Sequence, residues 1–197
     1  MLEKTERILG QFPSWPGARL EHPAFIQRLD ERLLRFVRGW KPAHGSVAII
    51  GETGCGKTSA VSAMAHRWTA EIIERGVTDP MFTGLVYLKS YDIIQANGDP
   101  RLGTVNEAAL RRAEAATVLV LDELGGERSF ADCRSESTLF ELLDRRYDRC
   151  RPTIVTTGLR LEALANRYGA QLARRLTDKG VGTLIDLFPR KKLEAVG

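Results

Sequence analysis

The chain has 197 residues, 43% hydrophobic and 27% charged, which suits one well-cored α/β domain and is too short for two of ordinary size. Its net charge of +4 rests mainly on arginine, the better phosphate fork, and is compatible with a nucleic-acid partner without demanding one. No apolar run approaches the ~18 residues of a membrane span, the start Met1-Leu-Glu-Lys-Thr-Glu6 lacks a secretory core, and Cys55, Cys133 and Cys150 are too dispersed for a zinc site or disulfide framework; a cytoplasmic protein is expected.

Residues 1–44 read as a short N-terminal extension and residues 45–197 as the main domain. Within residues 1–21, Phe12-Pro-Ser-Trp15-Pro-Gly17 is broken by prolines and predicted to be irregular. Phe25, Leu29, Leu33, Phe36 and Trp40 recur at helical spacing and predict one amphipathic helix from Pro23 to Trp40. Arg28, Arg32, Arg35 and Arg38 stripe another face, as a solvated surface or a binding ridge. Val47–Ile50 predicts the first strand, Ser59–Glu74 a helix, and Leu85–Leu88 the second strand. Asn97-Gly-Asp-Pro100 reads as a turn, and Thr104-Val-Asn-Glu107 as a capping-box start to a helix ending near Ala115. Val118–Leu121 is a continuous apolar strand, followed by a polar loop over 125–134 and a helix from Ser135 to Arg149. Thr153–Thr157 is the next strand. Short helices over Leu161–Tyr168 and Ala170–Thr177, a last strand over Gly182–Leu187 and a basic tail, Pro189-Arg-Lys-Lys192, complete the chain. This alternation predicts an α/β fold with a parallel five-stranded sheet flanked by helices.

Between the first strand and its helix stands Gly51-Glu52-Thr53-Gly54-Cys55-Gly56-Lys57-Thr58, a complete G-x-x-x-x-G-K-[ST] phosphate loop, with Ser59 opening the helix behind it. Backbone N–H groups of such a loop wrap phosphate oxygens, and the helix N-terminus adds its dipole. Gly51, Gly54 and Gly56 admit angles and close approach that a Cβ forbids. Lys57 is expected on the β- and γ-phosphates and Thr58 on Mg²⁺. Cys55 is either a small residue at a variable loop position or a thiol activated at a helix N-terminus. The strand Val118–Leu121 ends in Asp122-Glu123, where the first carboxylate suits Mg²⁺ and the second suits a general base acting on water. ATP with Mg²⁺ is the expected cofactor pair.

The phosphate loop, Val118-Leu-Val-Leu-Asp-Glu-Leu-Gly125, Arg151-Pro-Thr-Ile-Val-Thr-Thr157 and Tyr168-Gly-Ala-Gln-Leu-Ala-Arg-Arg-Leu176 together resemble the DnaC/IstB branch of AAA+ ATPases, over roughly Gly45 to Leu187. The resemblance implies a phosphate-loop NTPase core without a C-terminal helical lid. It implies that Arg175 reaches a neighbouring subunit's ATP as an arginine finger, although Arg174 stands where the family has serine, leaving open which arginine acts. The family's strand-end asparagine, which contacts the attacking water, aligns with Gly158 here, and Thr157 is the expected substitute. Its DNA-holding insertion corresponds to about Ser90–Ala115, where Lys89, Arg101, Arg111 and Arg112 are candidate phosphate contacts; a solvated helix face accounts for the same residues.

The function implied is an ATPase that assembles head-to-tail on single-stranded DNA in a nucleotide-dependent way and loads a replicative helicase. A transposition helper with a transposase as partner shares the same chemistry. A small-molecule phosphotransferase and a non-hydrolysing ATP-gated adaptor are the readings from other classes; the Asp122-Glu123 pair disfavours the former and Gly158 lends support to the latter.

Overall fold

A computed structural model describes residues 2–13, 19–76, 84–97, 99–127, 135–178, 180 and 182–189. The Trp15 segment, Cys133, most of the 125–134 loop and the 190–192 basic tail lie outside the described residues, and so does the Arg101 side chain.

Five parallel strands form the central sheet: β1 (Ser46–Ile50), β2 (Leu85–Lys89), β5 (Val118–Leu124), β6 (Thr153–Thr157) and β7 (Gly182–Asp186), in the order β2-β5-β6-β1-β7. All five lie where the apolar runs predict them. β6 therefore separates the phosphate-loop strand from the acidic strand, with Ile50 opposite Thr157 and Leu121 opposite Val155. Each face of the sheet is covered, so alternate residues of one strand enter different cores. Val47, Ile49, Val118, Val120 and Ile154 join one buried cluster; Ile50, Leu119, Leu121 and Val155 join the other.

The first core is closed by α4 (Lys57–Arg75) and by the N-terminal segments α1 (Leu2–Leu9), α2 (Pro23–Arg28) and α3 (Glu31–Gly39). Residues 2–9, for which the sequence predicts no element, are helical. One expectation is corrected here: the predicted Pro23–Trp40 helix is two helices. Leu29 turns extended, and the Asp30 carboxylate accepts the Arg32 backbone N–H at 2.9 Å, capping a new helix inside an unbroken apolar stripe. Phe12, Phe36 and Trp40 are core residues: Trp40 meets Trp68 edge-on at 6.0 Å, and Phe12 lies 5.0 Å from the Tyr87 ring. The arginine stripe is exposed and partly paired, Arg32 with Asp30 and Arg35 with Glu31.

The second core is closed by α6 (Glu107–Ala115), α7 (Ser135–Asp148), α8 (Leu161–Tyr168) and α9 (Ala170–Leu176). Between β2 and α6 the chain makes a one-turn helix, α5 (Ser90–Ile93), and an antiparallel pair, β3 (Ile94–Asn97) with β4 (Asp99–Val105). The expected turn at 97–100 is the tip of this pair, and Thr104, expected as a helix cap, belongs to β4. Asn106 caps α6 instead, its side chain accepting from Ala109 N at 3.1 Å.

Candidate nucleotide site

The carboxyl ends of β1, β5 and β6 converge on a cleft of about 700 Å³, lined among others by Gly54, Gly56, Lys57, Thr58, Glu123 and Thr156. The loop that opens it can exist because Gly54 and Gly56 take φ values of 85° and 89°, which side chains rarely adopt. The Lys57 ammonium reaches back across this loop and donates to the carbonyls of Gly51 at 2.7 Å and Glu52 at 2.8 Å; Cys55 Sγ stands 3.7 Å away. Glu52 and Thr53 are exposed at the loop tip, and Ser59 is half-buried one residue into α4 beyond Thr58. The lysine is thus tethered by two neutral acceptors, which charged phosphate oxygens would outcompete.

Asp122 is fully buried and is held by hydroxyls from several strands and helices. Thr58 donates at 3.1 Å, Tyr87 at 2.6 Å, and Thr156 through a short bond. Burial and the Asp122 charge raise the Tyr87 pKa, so the phenol stays a neutral donor. The adjacent Glu123 is half-exposed with φ of 58°, an uncommon left-handed value for a residue with a side chain. Its N–H donates to Thr156 Oγ1 at 3.0 Å and its carbonyl accepts from Ser90 Oγ at 2.7 Å. Its carboxylate pairs with Lys89 at 3.1 Å.

These residues fit a nucleotide with Mg²⁺. Among the described residues no cluster of three or more His, Cys, Asp or Glu is present. That suits a cation which binds through one or two protein oxygens together with substrate phosphates rather than in a protein cage. Thr58 and Asp122, hydrogen-bonded to each other, are the groups placed to hold it.

Three sequence expectations change. The threonine facing the carboxylates is Thr156; the Thr157 hydroxyl is buried, donating to Leu124 O at 2.6 Å and accepting from Leu159 N at 3.0 Å, so its one proton is already spent within the loop. Arg175 is committed within its own chain: it bonds Asp144 closely, stands 3.7 Å from Asp148 and stacks 4.8 Å from the Tyr147 ring centre, whereas Arg174 is exposed. Lys89 belongs to the carboxylate site rather than to a free basic face. Of the other candidate DNA contacts, Arg111 is exposed 3.9 Å from Glu107, Arg112 is exposed and donates to Gln11 at 3.1 Å, and the backbone of Arg101 lies in β4. Sequence reasoning missed Tyr87, Thr156 and Ser90. Tyr87 and Ser90 flank Lys89 around the end of β2, a position that only the pairing of β2 with β5 brings to Asp122.

Residues 18–181 match the family described as IstB-like ATP binding protein. No curated protein sequence matches the chain. Among solved structures the fold is shared with DnaI, at a TM-score of 0.55 and 20% identity over 92% of this chain and 93% of that one. It is shared with the DnaC helicase loader at 0.52 and 20%, over 90% and 94% of the two chains. AMPPCP-bound DnaA from Aquifex aeolicus is similar at 0.50 and 19%, over 92% of this chain, which spans only 50% of the DnaA chain's length. With a phosphate loop, a buried strand-end aspartate and a family match over most of its length, the chain belongs to the IstB-like ATP-binding protein family.

Proposed function

We propose that the chain is an Mg²⁺-dependent ATPase that assembles on single-stranded DNA and loads a replicative helicase during DNA replication. The observation that carries the reading is the meeting of Thr58, Glu123 and Thr156 in the phosphate-loop cleft, above the buried Asp122 that Thr58 and Thr156 hold. The loop N–H groups and Lys57 bind the phosphates, and Thr58 with Asp122 orients the metal. Bound Mg²⁺ neutralises charge that develops between the β- and γ-phosphates. Glu123 takes the proton from the attacking water, and Thr156 holds the backbone that aims it. Arg174, exposed near the end of α9, is the arginine available to a neighbouring subunit's nucleotide in a head-to-tail assembly.

The DNA and helicase part of the reading draws on the implied role of the 90–115 insertion and on the likeness to the DnaC helicase loader along nearly the whole length of both chains. The family description favours a second reading with the same chemistry, a transposition helper whose partner is a transposase. Phosphate release by the parent and by Glu123→Gln, with and without single-stranded DNA, tests the enzyme. Glu123→Gln is expected to bind ATP while turning over at least about 100-fold more slowly. DNA is expected to stimulate the parent. No turnover in either protein would instead leave an ATP-gated adaptor, and equal measurable turnover would mean a base other than Glu123. Which partner binds the ATP-loaded protein, helicase or transposase, separates the two readings.

A further inference from the structure

Behind the cleft, Glu127 is 2% exposed although it lies in the loop just past β5. Its Oε2 accepts from Gly125 N at 3.0 Å; its Oε1 accepts the Tyr168 hydroxyl and stands 3.0 Å from an Arg167 guanidinium nitrogen. The same guanidinium donates to two main-chain carbonyls, Gly125 O at 3.0 Å and Glu127 O at 2.7 Å. A buried, hydrogen-bonded carboxylate is a costly way to gain stability, because an apolar cluster of equal volume often does as well. What it supplies is a defined geometry for the segment it binds.

That segment is the wall of the nucleotide cleft and the turn that carries Glu123. Gly125 and Gly126 both line the cleft, and Gly126 N donates to Glu123 O at 2.7 Å. A left-handed φ at a residue with a side chain is strained and persists only where the surroundings over-determine it. Thr156 and Ser90 hold Glu123 from one side; Gly126 holds it from the other, and Gly125 beside it is fixed by α8. Without that second side the turn would relax, and the carboxylate would follow the Lys89 ammonium 3.1 Å away.

We propose that Glu127, Arg167 and Tyr168 form a clamp that positions Glu123 for hydrolysis, and that ties its turn to the helix pair carrying Arg174. The clamp touches no substrate; its members are positioning residues. Tyr168 is the last residue of α8 and Gly169 joins it directly to α9, so a shift of α9 against a neighbouring molecule arrives at the Glu123 turn through two side chains. The inference rests on the ATPase reading above, and the test separates the two.

Tyr168→Phe and Arg167→Lys are made in the full chain, alone and each combined with Glu123→Gln. The single variants are expected to bind a fluorescent ATP analogue within about twofold of the parent and to lose about tenfold in kcat with KM unchanged. Combined with Glu123→Gln they are expected to cost nothing further, because both changes act through one carboxylate; a general loss of folding would add instead. Amide hydrogen exchange over residues 123–127 is expected to quicken while that of the phosphate loop does not. Unchanged exchange over 123–127 would overturn the clamp whether or not ATP is hydrolysed. Faster exchange with undiminished kcat would overturn its positioning role. A parent without turnover would sink the ATPase reading and with it the role, leaving the exchange result to show only that the three residues hold the loop.

Discussion

Lys57 and Lys89 bring positive charge to the nucleotide cleft from two different elements, and they are expected to fail in opposite directions. Lys57 supplies the motif's cation for the β/γ-phosphates, so Lys57→Ala is expected to weaken ATP binding by at least about 100-fold in equilibrium titration. Lys89 instead pairs with the Glu123 carboxylate and occupies an oxygen that would otherwise face the attacking water. Lys89→Met is expected to raise DNA-independent phosphate release by a few-fold while leaving ATP affinity unchanged, the modest size reflecting a pair that is partly solvated. Slower release would show that Lys89 orients Glu123 rather than restrains it. The same scale explains why Thr156 and Thr157 could not be told apart in the sequence. Two adjacent threonines end a strand, successive side chains point to opposite faces, and one residue of register decides which faces the carboxylates. The phosphate loop and Asp122-Glu123 needed no register, because their chemistry is written in contiguous residues.

At the scale of elements, the five core strands were legible because each is an apolar run between turn residues. The interruption at Leu29-Asp30 was not, since the apolar stripe continues across it and only a side-chain cap divides the helices. The β3–β4 pair was hidden for a different reason: Asn97-Gly-Asp-Pro100 reads as a turn, and its flanks lack an alternating pattern long enough to declare strands. Arg146 was equally invisible. It lies in the last turn of α7, where a basic residue is ordinary, yet it is 2% exposed. Its guanidinium donates to Ala113 O, Ala116 O, Pro152 O and Thr153 Oγ1 at 2.8–2.9 Å, joining α7 to the end of α6 and the start of β6 from within. Burial, with Arg151 nearby, lowers its pKa to about 10, so it remains charged at neutral pH. Arg146→Met keeps the stem and strands these acceptors. It is expected to cost about 3 kcal/mol and about 8 °C in Tm by thermal denaturation. A loss below about 1 kcal/mol would mean that water takes the guanidinium's place.

For the whole molecule, the consequential feature is where the arginines of α9 point. Arg175 is spent within its own chain and Arg174 is exposed, so a finger acting across a subunit boundary is expected from Arg174. Arg174→Ala is expected to bind ATP normally and to lose DNA-stimulated turnover, a finger being worth about 10³–10⁵ in rate. Mixing it with Lys57→Ala is expected to restore part of that turnover, because some joints then pair an intact finger with an intact loop. Co-assembly without recovery would show that Arg174 does not act in trans. Arg146 bears on how such assays respond to salt. Its charge is solvated by peptide carbonyls inside the protein, where dissolved salt screens far less than at the surface. Contacts between exposed arginines and nucleic acid weaken steeply as counterions accumulate. Raising potassium chloride would therefore strip the strand from a molecule whose internal cross-brace is untouched, and a fall in stimulated turnover over that range would report dissociation rather than melting.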